Sequence, residues 1–434
     1  MIPLSEAQSY VLKQIEPLPR TVVPLKNALG LVLTESVVST ETIPPFTNTA
    51  VDGYALRSID TVNTPVTLNV VETISAGDDK NINVGPNEAV RIMTGAVMPA
   101  GADAVIMVEN TRLLKPADSL ESALTEFNST TISTSTSNQL DLERVVISRT
   151  VQPGDHIRHA GDDISAGQIV LQAGTPLQPG HLGVLASIGC YQVATYRRPR
   201  VGVMSTGDEL VDEPIRLQRG QIRDSNRNSL LGLVDQAGFI GVDLGIARDN
   251  EDDIKSVLQY AINECDAVLS SGGVSMGDYD YVKTVLEQLG EMRWMQIAIK
   301  PAKPFAFGLV QGIPVFGLPG NPVSSMVSFE LLAKPALRAM AGYDADALGP
   351  FTIRAVSQNT LSHPRDGKTH YIRVFTKHSE QGTLQVARID GQGSHQLATM
   401  AQANGLAVVQ DNLVINPGDV VDVIPLNVFM NGFT

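Results

Sequence analysis

The run Ala267-Val268-Leu269-Ser270-Ser271-Gly272-Gly273-Val274-Ser275-Met276-Gly277-Asp278-Tyr279-Asp280 carries the reading on which the fold turns. A short apolar segment ends in a glycine-rich stretch. Beyond it, Val282, Val285, Leu286 and Leu289 recur at spacings of three and four, the period of an amphipathic helix. The pattern is a buried strand, a glycine loop, and a helix opening from that loop. In parallel α/β sheets, ligands bind outside the carboxyl ends of the strands. Glycines let the backbone approach a phosphate, and free N–H groups at a helix start favour anions. Asp278 and Asp280 close the loop. Carboxylates there repel a bare phosphate but suit a magnesium ion that bridges phosphates. The same acidic residues also fit ordinary helix N-cap chemistry.

Downstream, Ile297-Ala298-Ile299-Lys300-Pro301-Ala302-Lys303-Pro304 reads as a strand delivering two lysines. Upstream, the strand Val201–Met204 leads into Ser205-Thr206-Gly207-Asp208-Glu209. A helix falls within 222–238, a strand at 239–246, and a second helix at 252–264. The strand Pro314–Leu318 runs into Pro319-Gly320-Asn321-Pro322, where Asn321 can cap a helix and Pro322 fits its first turn. That helix extends to about Met340. Alternating strands and helices predict one doubly wound parallel sheet over 196–345. Its loops Ser205–Glu209, Ser271–Asp280 and Pro319–Pro322 can converge on one crevice, a pairing of acidic and anion-cradling chemistry. None is a Walker loop, because the chain lacks GxxxxGK[ST].

The flanks read differently. A helix is expected over Ser5–Ile15, stopped by Pro17. Asp52-Gly53 is a turn signal, read as a hairpin connection into a new domain. From Val66 to about Val151, short strand-like runs alternate with glycines, a small β-rich domain. Ser129 to Ser137 holds eight Ser/Thr in nine residues and reads as a surface loop. His156, His159, Asp162 and Asp163 have metal-ligand chemistry, but two histidines without cysteine partners are weak evidence for a metal site. Arg158 with the acidic pair orders a turn or contacts substrate. After Pro350 the chain is again β-like, with Leu406–Val409 and Val420–Ile424 as strands around the turn Pro417-Gly418-Asp419.

Bulk properties narrow the class. With 434 residues and 43% hydrophobic content, the chain can build several ordinary cores. A formal net charge of −14 argues against nucleic acid as a partner. No apolar run approaches the ~20 residues of a membrane span, and no signal peptide is recognisable. Cys190 and Cys265 are too few for a disulfide framework. A cytoplasmic protein without membrane or nucleic-acid partners is expected.

Taken together, VDGYA, RIMTGA, GDDISAG, STGDEL, SGGVSMGDYD, IKPAKPFAFG, LPGNPVSS and GQGSH, in this order along nearly the whole chain, resemble the molybdopterin molybdenumtransferase family. These are the MoeA proteins, similar also to the gephyrin E domain. The resemblance implies an α/β multidomain subunit. Its parts are a MogA-like doubly wound domain (196–345), an inserted β-rich domain (46–152), a mixed N-terminal linker domain (1–45 with 153–195) and a C-terminal β-barrel-like domain (346–434). It implies insertion of molybdate into adenylylated molybdopterin, Mg²⁺-dependent cleavage of the pyrophosphate link and release of AMP. It also implies a homodimer, with a molybdopterin adenylyltransferase among its partners.

Carried over by position, Asp52, Thr94, Asp163, Glu209 and Asp249 are the implied catalytic residues, and Asp280, Asp249 and Glu209 the implied metal ligands. Arg158, Ser271, Gly272, Gly273, Ser275, Pro319, Asn321 and Pro322 are implied to bind substrate. Lys300, Lys303, Arg373 and Ser394 are implied to line the molybdate pocket. Gln296 stands where some members have lysine. The competing class is a non-catalytic scaffold of the same fold.

Overall fold

The computed structural model describes residues 1–114, 143–212, 214–272 and 281–426. The Ser129–Ser137 loop, and Gly273, Ser275 and Asp280 of the expected site, lie outside the described residues. The chain divides into two compact units, 1–35 with 173–182 and 192–434, and 36–172 with 183–191.

The first unit contains the α/β domain. Its strands are β1 (Arg200–Thr206), β2 (Ile240–Ala247), β3 (Ala267–Ser271), β4 (Gly290–Gln296), β5 (Pro304–Val310) and β6 (Ile313–Leu318), in the spatial order β2-β1-β3-β6-β5-β4. The first four are parallel, as the alternating pattern predicts. Their apolar runs are nearly continuous because both faces are covered. Val203, Leu269 and Phe316 enter one core, whereas Met204, Val268 and Val315 enter another.

Two expectations change here. The sheet is mixed, since β5 adds antiparallel to β6 and β4 adds antiparallel to β5. The lysine segment is not one of its strands. Ile299–Lys300 pairs instead with Thr369–His370 of the C-terminal sheet. Pro301 lacks a ladder donor and Ala302 has a left-handed φ of 77°, so the segment cannot continue as a strand.

Helices α1 (Asn226–Gln236) and α2 (Glu251–Glu264) follow β1 and β2; α3 (Tyr281–Leu289) follows the glycine loop. Asn250 caps α2 by accepting the Asp253 N–H at 2.9 Å. The helix expected from 323 to 340 is interrupted. It runs as α4 (Pro322–Ser328), a π-helical turn over Phe329–Ala333, and α5 (Lys334–Met340). Pro335 accounts for the break: it has no N–H, and its ring crowds the preceding turn. The N-terminal helix Leu4–Leu12 packs on this domain, with Ala7 and Val11 buried in its core and Tyr10 edge-on to Phe307.

After Pro350, strands Ile353–Ser357, Thr369–His378, Leu384–Arg388, Gly405–Val409 and Val420–Pro425 close into a five-stranded barrel. Ile372, Val374, Val386 and Val423 fill its interior. Alternate residues face outward; Tyr371 joins the core of the α/β domain.

The second unit is a six-stranded mixed sheet in the order Ala104–Met107, Gly53–Leu56, Glu88–Ile92, Val66–Ile74, Arg144–Ile147, Thr111–Leu114. Asp52-Gly53 is not a hairpin turn. Gly53 opens a central strand, where a Cβ would come within 1.9 Å of the Ile106 carbonyl oxygen. Close backbone approach, not turn geometry, demands this glycine.

Candidate active site

The crevice lies where β1 and β3 diverge, their outgoing helices lying on opposite sides. Gly272 follows β3 with φ 99°, and a Cβ there would meet Thr206 Oγ1 at 3.0 Å and the Thr206 carbonyl oxygen at 3.1 Å. The Gly272 N–H donates to Leu318 O at 3.1 Å, joining the end of β6. Ser271, Gly272 and Pro319 thus meet at one rim.

On the β1 side, Glu209 folds back over Gly207, and Asp208 Oδ1 accepts the Asp249 N–H at 3.3 Å. Desolvation, with the negative charges of Asp208 and Glu209, pushes the Asp249 carboxyl above its ordinary range. Glu209 and Asp249 are therefore brought together as hard oxygen donors carrying mutual repulsion. A divalent cation would relieve that repulsion, and magnesium sites are completed by one or two carboxylates plus substrate phosphates.

On the opposite side, Asn321 does not cap α4 with its side chain. Instead the Val323 N–H donates to the Ser394 carbonyl at 3.1 Å, which brings the GQGSH loop to the Pro319–Pro322 turn. Arg373 anchors that loop. Its Nη2 donates to Gly391 O at 2.6 Å and Gly393 O at 3.1 Å, while its backbone N–H reaches Gln392 Oε1 at 3.0 Å. Arg373 is 1% exposed, and its Nε has no hydrogen-bond partner among the described residues. No ion pair among the described residues includes it, and burial lowers its pKa. A buried guanidinium without a carboxylate is costly unless an anion joins it.

Lys300 and Lys303 are exposed and form no ion pair among the described residues. Lys300 lies opposite His370, three residues from Arg373 on the same strand. In a regular strand that odd spacing starts Lys300 and Arg373 on opposite faces, so the strand alone does not bring them together. Gln296 ends the edge strand β4, where its carbonyl accepts the Ile2 N–H.

The second unit gathers its own predicted residues. Asp52 Oδ1 accepts the Thr94 N–H at 2.6 Å and the Thr94 hydroxyl at 2.7 Å, which hold its pKa below the usual value. Thr49 O accepts the Gly95 N–H, and Asn48–Thr49 pairs with Ile157–Arg158, so Asp52, Thr94 and Arg158 cluster around one short strand. Asp163 sits where its N–H meets Ile43 O. Asp162 Oδ2 accepts the His159 N–H at 2.6 Å, the turn-ordering role rather than a metal role.

One family model, the MoeA N-terminal region (domain I and II), matches residues 2–189. A probable molybdopterin binding domain matches 202–339, and the MoeA C-terminal region (domain IV) matches 360–426. The molybdopterin molybdenumtransferase of Haemophilus influenzae is 34% identical over 98% of this chain and 99% of its own. That of Nostoc sp. is 36% identical over 89% of this chain and 84% of its own. This chain belongs to the molybdopterin molybdenumtransferase (MoeA) family. It is accordingly an enzyme of the transferase class. A solved molybdopterin biosynthesis moeA protein from Pyrococcus horikoshii OT3 matches with TM-score 0.75 and 29% identity, covering 98% of this chain and 99% of that one. No helix among the described residues is long and apolar enough to cross a membrane.

Two features of this MoeA chain escaped sequence reasoning. The first is Asp224-Ser225-Asn226-Arg227 at the start of α1. Asp224 accepts from Ser205 Oγ at 2.9 Å and from Arg227 Nε at 2.9 Å, and Arg227 also pairs with Asp212 and Asp243. A carboxylate just ahead of the helix, three residues before an arginine, was the available signal. The second is His363, Asp366 and His370, beside Lys300. Their ligand-type atoms lie within 4.8 Å of one another. However, the imidazoles stack at 3.6 Å and 10°, so their in-plane lone pairs do not converge, and Lys368 Nζ holds Asp366 at 2.7 Å. Within the trio only His370 and Asp366 share a hydrogen bond, His363 meeting the Pro364 and Gln410 carbonyls instead, and Asp366 is pulled down to about 2, chiefly by Lys368.

Proposed function

We propose that this transferase of molybdenum cofactor biosynthesis inserts molybdate into adenylylated molybdopterin, with Mg²⁺-dependent cleavage of the pyrophosphate link and release of AMP. The observation that carries the reading is Arg373, a buried guanidinium whose Nε and charge have no partner among the described residues, on the strand that grips the loop delivering Ser394 to the crevice. An oxyanion completes it. Lys300 and Lys303 carry further positive charge that forms no ion pair among the described residues, and by resemblance they join this pocket. Molybdate, a tetrahedral dianion, matches this donor set of cations and hydroxyls.

The carboxylates of Glu209 and Asp249 suit Mg²⁺, and by resemblance Asp280 joins them. Bound there, the ion would neutralise charge on the bridging phosphates. The protein's own residues orient the ligand. Ser271 and Gly272 form the rim at β3, and the Pro319–Pro322 turn with the Ser394 loop forms the facing wall. Asp249→Asn removes a charge while keeping the shape, so AMP release at limiting Mg²⁺ falls at least tenfold while thermal stability stays near wild type. Near-normal AMP release at limiting Mg²⁺ rejects the assignment.

A further inference from the structure

We infer that Asn226 is a ligand-binding residue of this crevice, and that its Oδ1 accepts a hydrogen bond from an N–H donor on the heterocyclic part of the substrate. The inference rests on the functional reading above for the identity of that substrate, but on the geometry alone for the polarity of the contact. Asn226 is the first residue of α1, the helix that follows β1. Its Nδ2 donates to Ser271 Oγ at 2.7 Å and to the Gly320 carbonyl at 2.7 Å. One amide nitrogen therefore ties the end of β3 to the turn after β6.

The orientation of the amide is fixed by chemistry. A carbonyl oxygen can only accept, so the nitrogen must face Gly320; the flipped amide would set two acceptors against each other. Oδ1 is consequently the atom left over. It is shielded from solvent and has no hydrogen-bond partner among the described residues, although the residue as a whole is only half-buried. An unmet acceptor of this kind costs about 1–3 kcal/mol, which a ligand donor recovers.

Its neighbours decide what the ligand must offer. The Asp224 carboxylate lies under the same corner, bound to Ser205 and Arg227, and the Gly320 and Thr206 carbonyls are at the rim. This concentration of acceptors repels phosphate or molybdate oxygens and selects a donor. The adenylyl group and the pterin each carry an exocyclic amine, and both have that chemistry. Anions belong to the Arg373 side; the donor-bearing ring belongs to the Asn226 side.

The test measures binding of three ligands to the full-length protein and to Asn226→Ala by calorimetry. They are AMP, purine riboside 5′-monophosphate (AMP without its amine) and molybdopterin. If the adenine amine is the donor, wild type binds AMP about tenfold tighter than the amine-free nucleotide, and Asn226→Ala abolishes that preference while leaving molybdopterin unchanged. If the pterin is the donor, molybdopterin loses about tenfold and both nucleotides are unchanged. Loss of Nδ2 alone would loosen the rim and weaken all three ligands equally. That equal loss, or no loss at all, overturns the inference and leaves the transferase reading standing. Wild-type protein that binds neither AMP nor molybdopterin overturns both.

Discussion

At the scale of single residues, charge without a partner is the informative quantity. Among the described residues, Arg373 is buried without a carboxylate, and Lys300 and Lys303 are exposed without one. A surface lysine paired with a carboxylate contributes at most about 1 kcal/mol, whereas a charge-assisted contact to an anion contributes about 1.5–3 kcal/mol. Lys300→Ala is therefore expected to raise the molybdate concentration for half-maximal rate by roughly ten- to a hundredfold. Binding of the adenylylated pterin should change little. An unchanged molybdate dependence with only a shifted melting temperature excludes Lys300 from the pocket. His370, opposite Lys300, predicts a pH effect. Burial lowers its pKa below the unfolded value, with His363 and Lys300 adding to the effect and Asp366 opposing it. The unfolded chain then binds more protons, so this stability is complete above about pH 6.5 and is lost as pH falls through the folded pKa. Thermal melts from pH 7.5 to 5 should show a steeper loss for wild type than for His370→Gln; parallel curves would contradict the assignment.

At the scale of elements, the parallel strands were legible because period and composition are local signals. Val201–Met204 and Ala267–Leu269 are apolar on both faces, which only a covered parallel sheet explains. The two antiparallel strands, β4 and β5, were not legible. Trp294, Arg293 and Gln296 mix polar and apolar residues at an edge, with no helix-like or strand-like period to separate them. The lysine segment misled for a different reason: which sheet a two-residue strand joins is a tertiary choice, made here by Thr369–His370. Gly53 shows the same limit, since a turn glycine and a close-contact glycine look alike in sequence. Gly53→Ala forces a Cβ onto the Ile106 carbonyl at 1.9 Å and breaks the pairing of the central strand. It should destabilise the β-rich unit by about 3 kcal/mol or more, a severe backbone and packing effect. A melting temperature within a degree of wild type would show that the strands can part without cost.

At the scale of the whole molecule, the site's wiring was less legible than its parts. The sequence named Asp249, Arg373 and Ser394 separately. That Arg373 grips the carbonyls of Gly391 and Gly393, and that Ser394 reaches the start of α4 through its backbone, depends on packing between distant segments. Asn226 went unnoticed because its role lies in two long-range hydrogen bonds. Homodimer assembly, implied by resemblance, predicts twice the 46.4 kDa chain mass in light scattering at micromolar protein; a clean monomer mass counts against it. The central claim is the coupling of molybdate to pyrophosphate cleavage. A single-turnover assay with purified protein and adenylylated molybdopterin tests it, with molybdate and Mg²⁺ added separately and together. One AMP released per substrate only when both are present is the predicted result, and AMP release at the same rate without molybdate, or none with both, would contradict it.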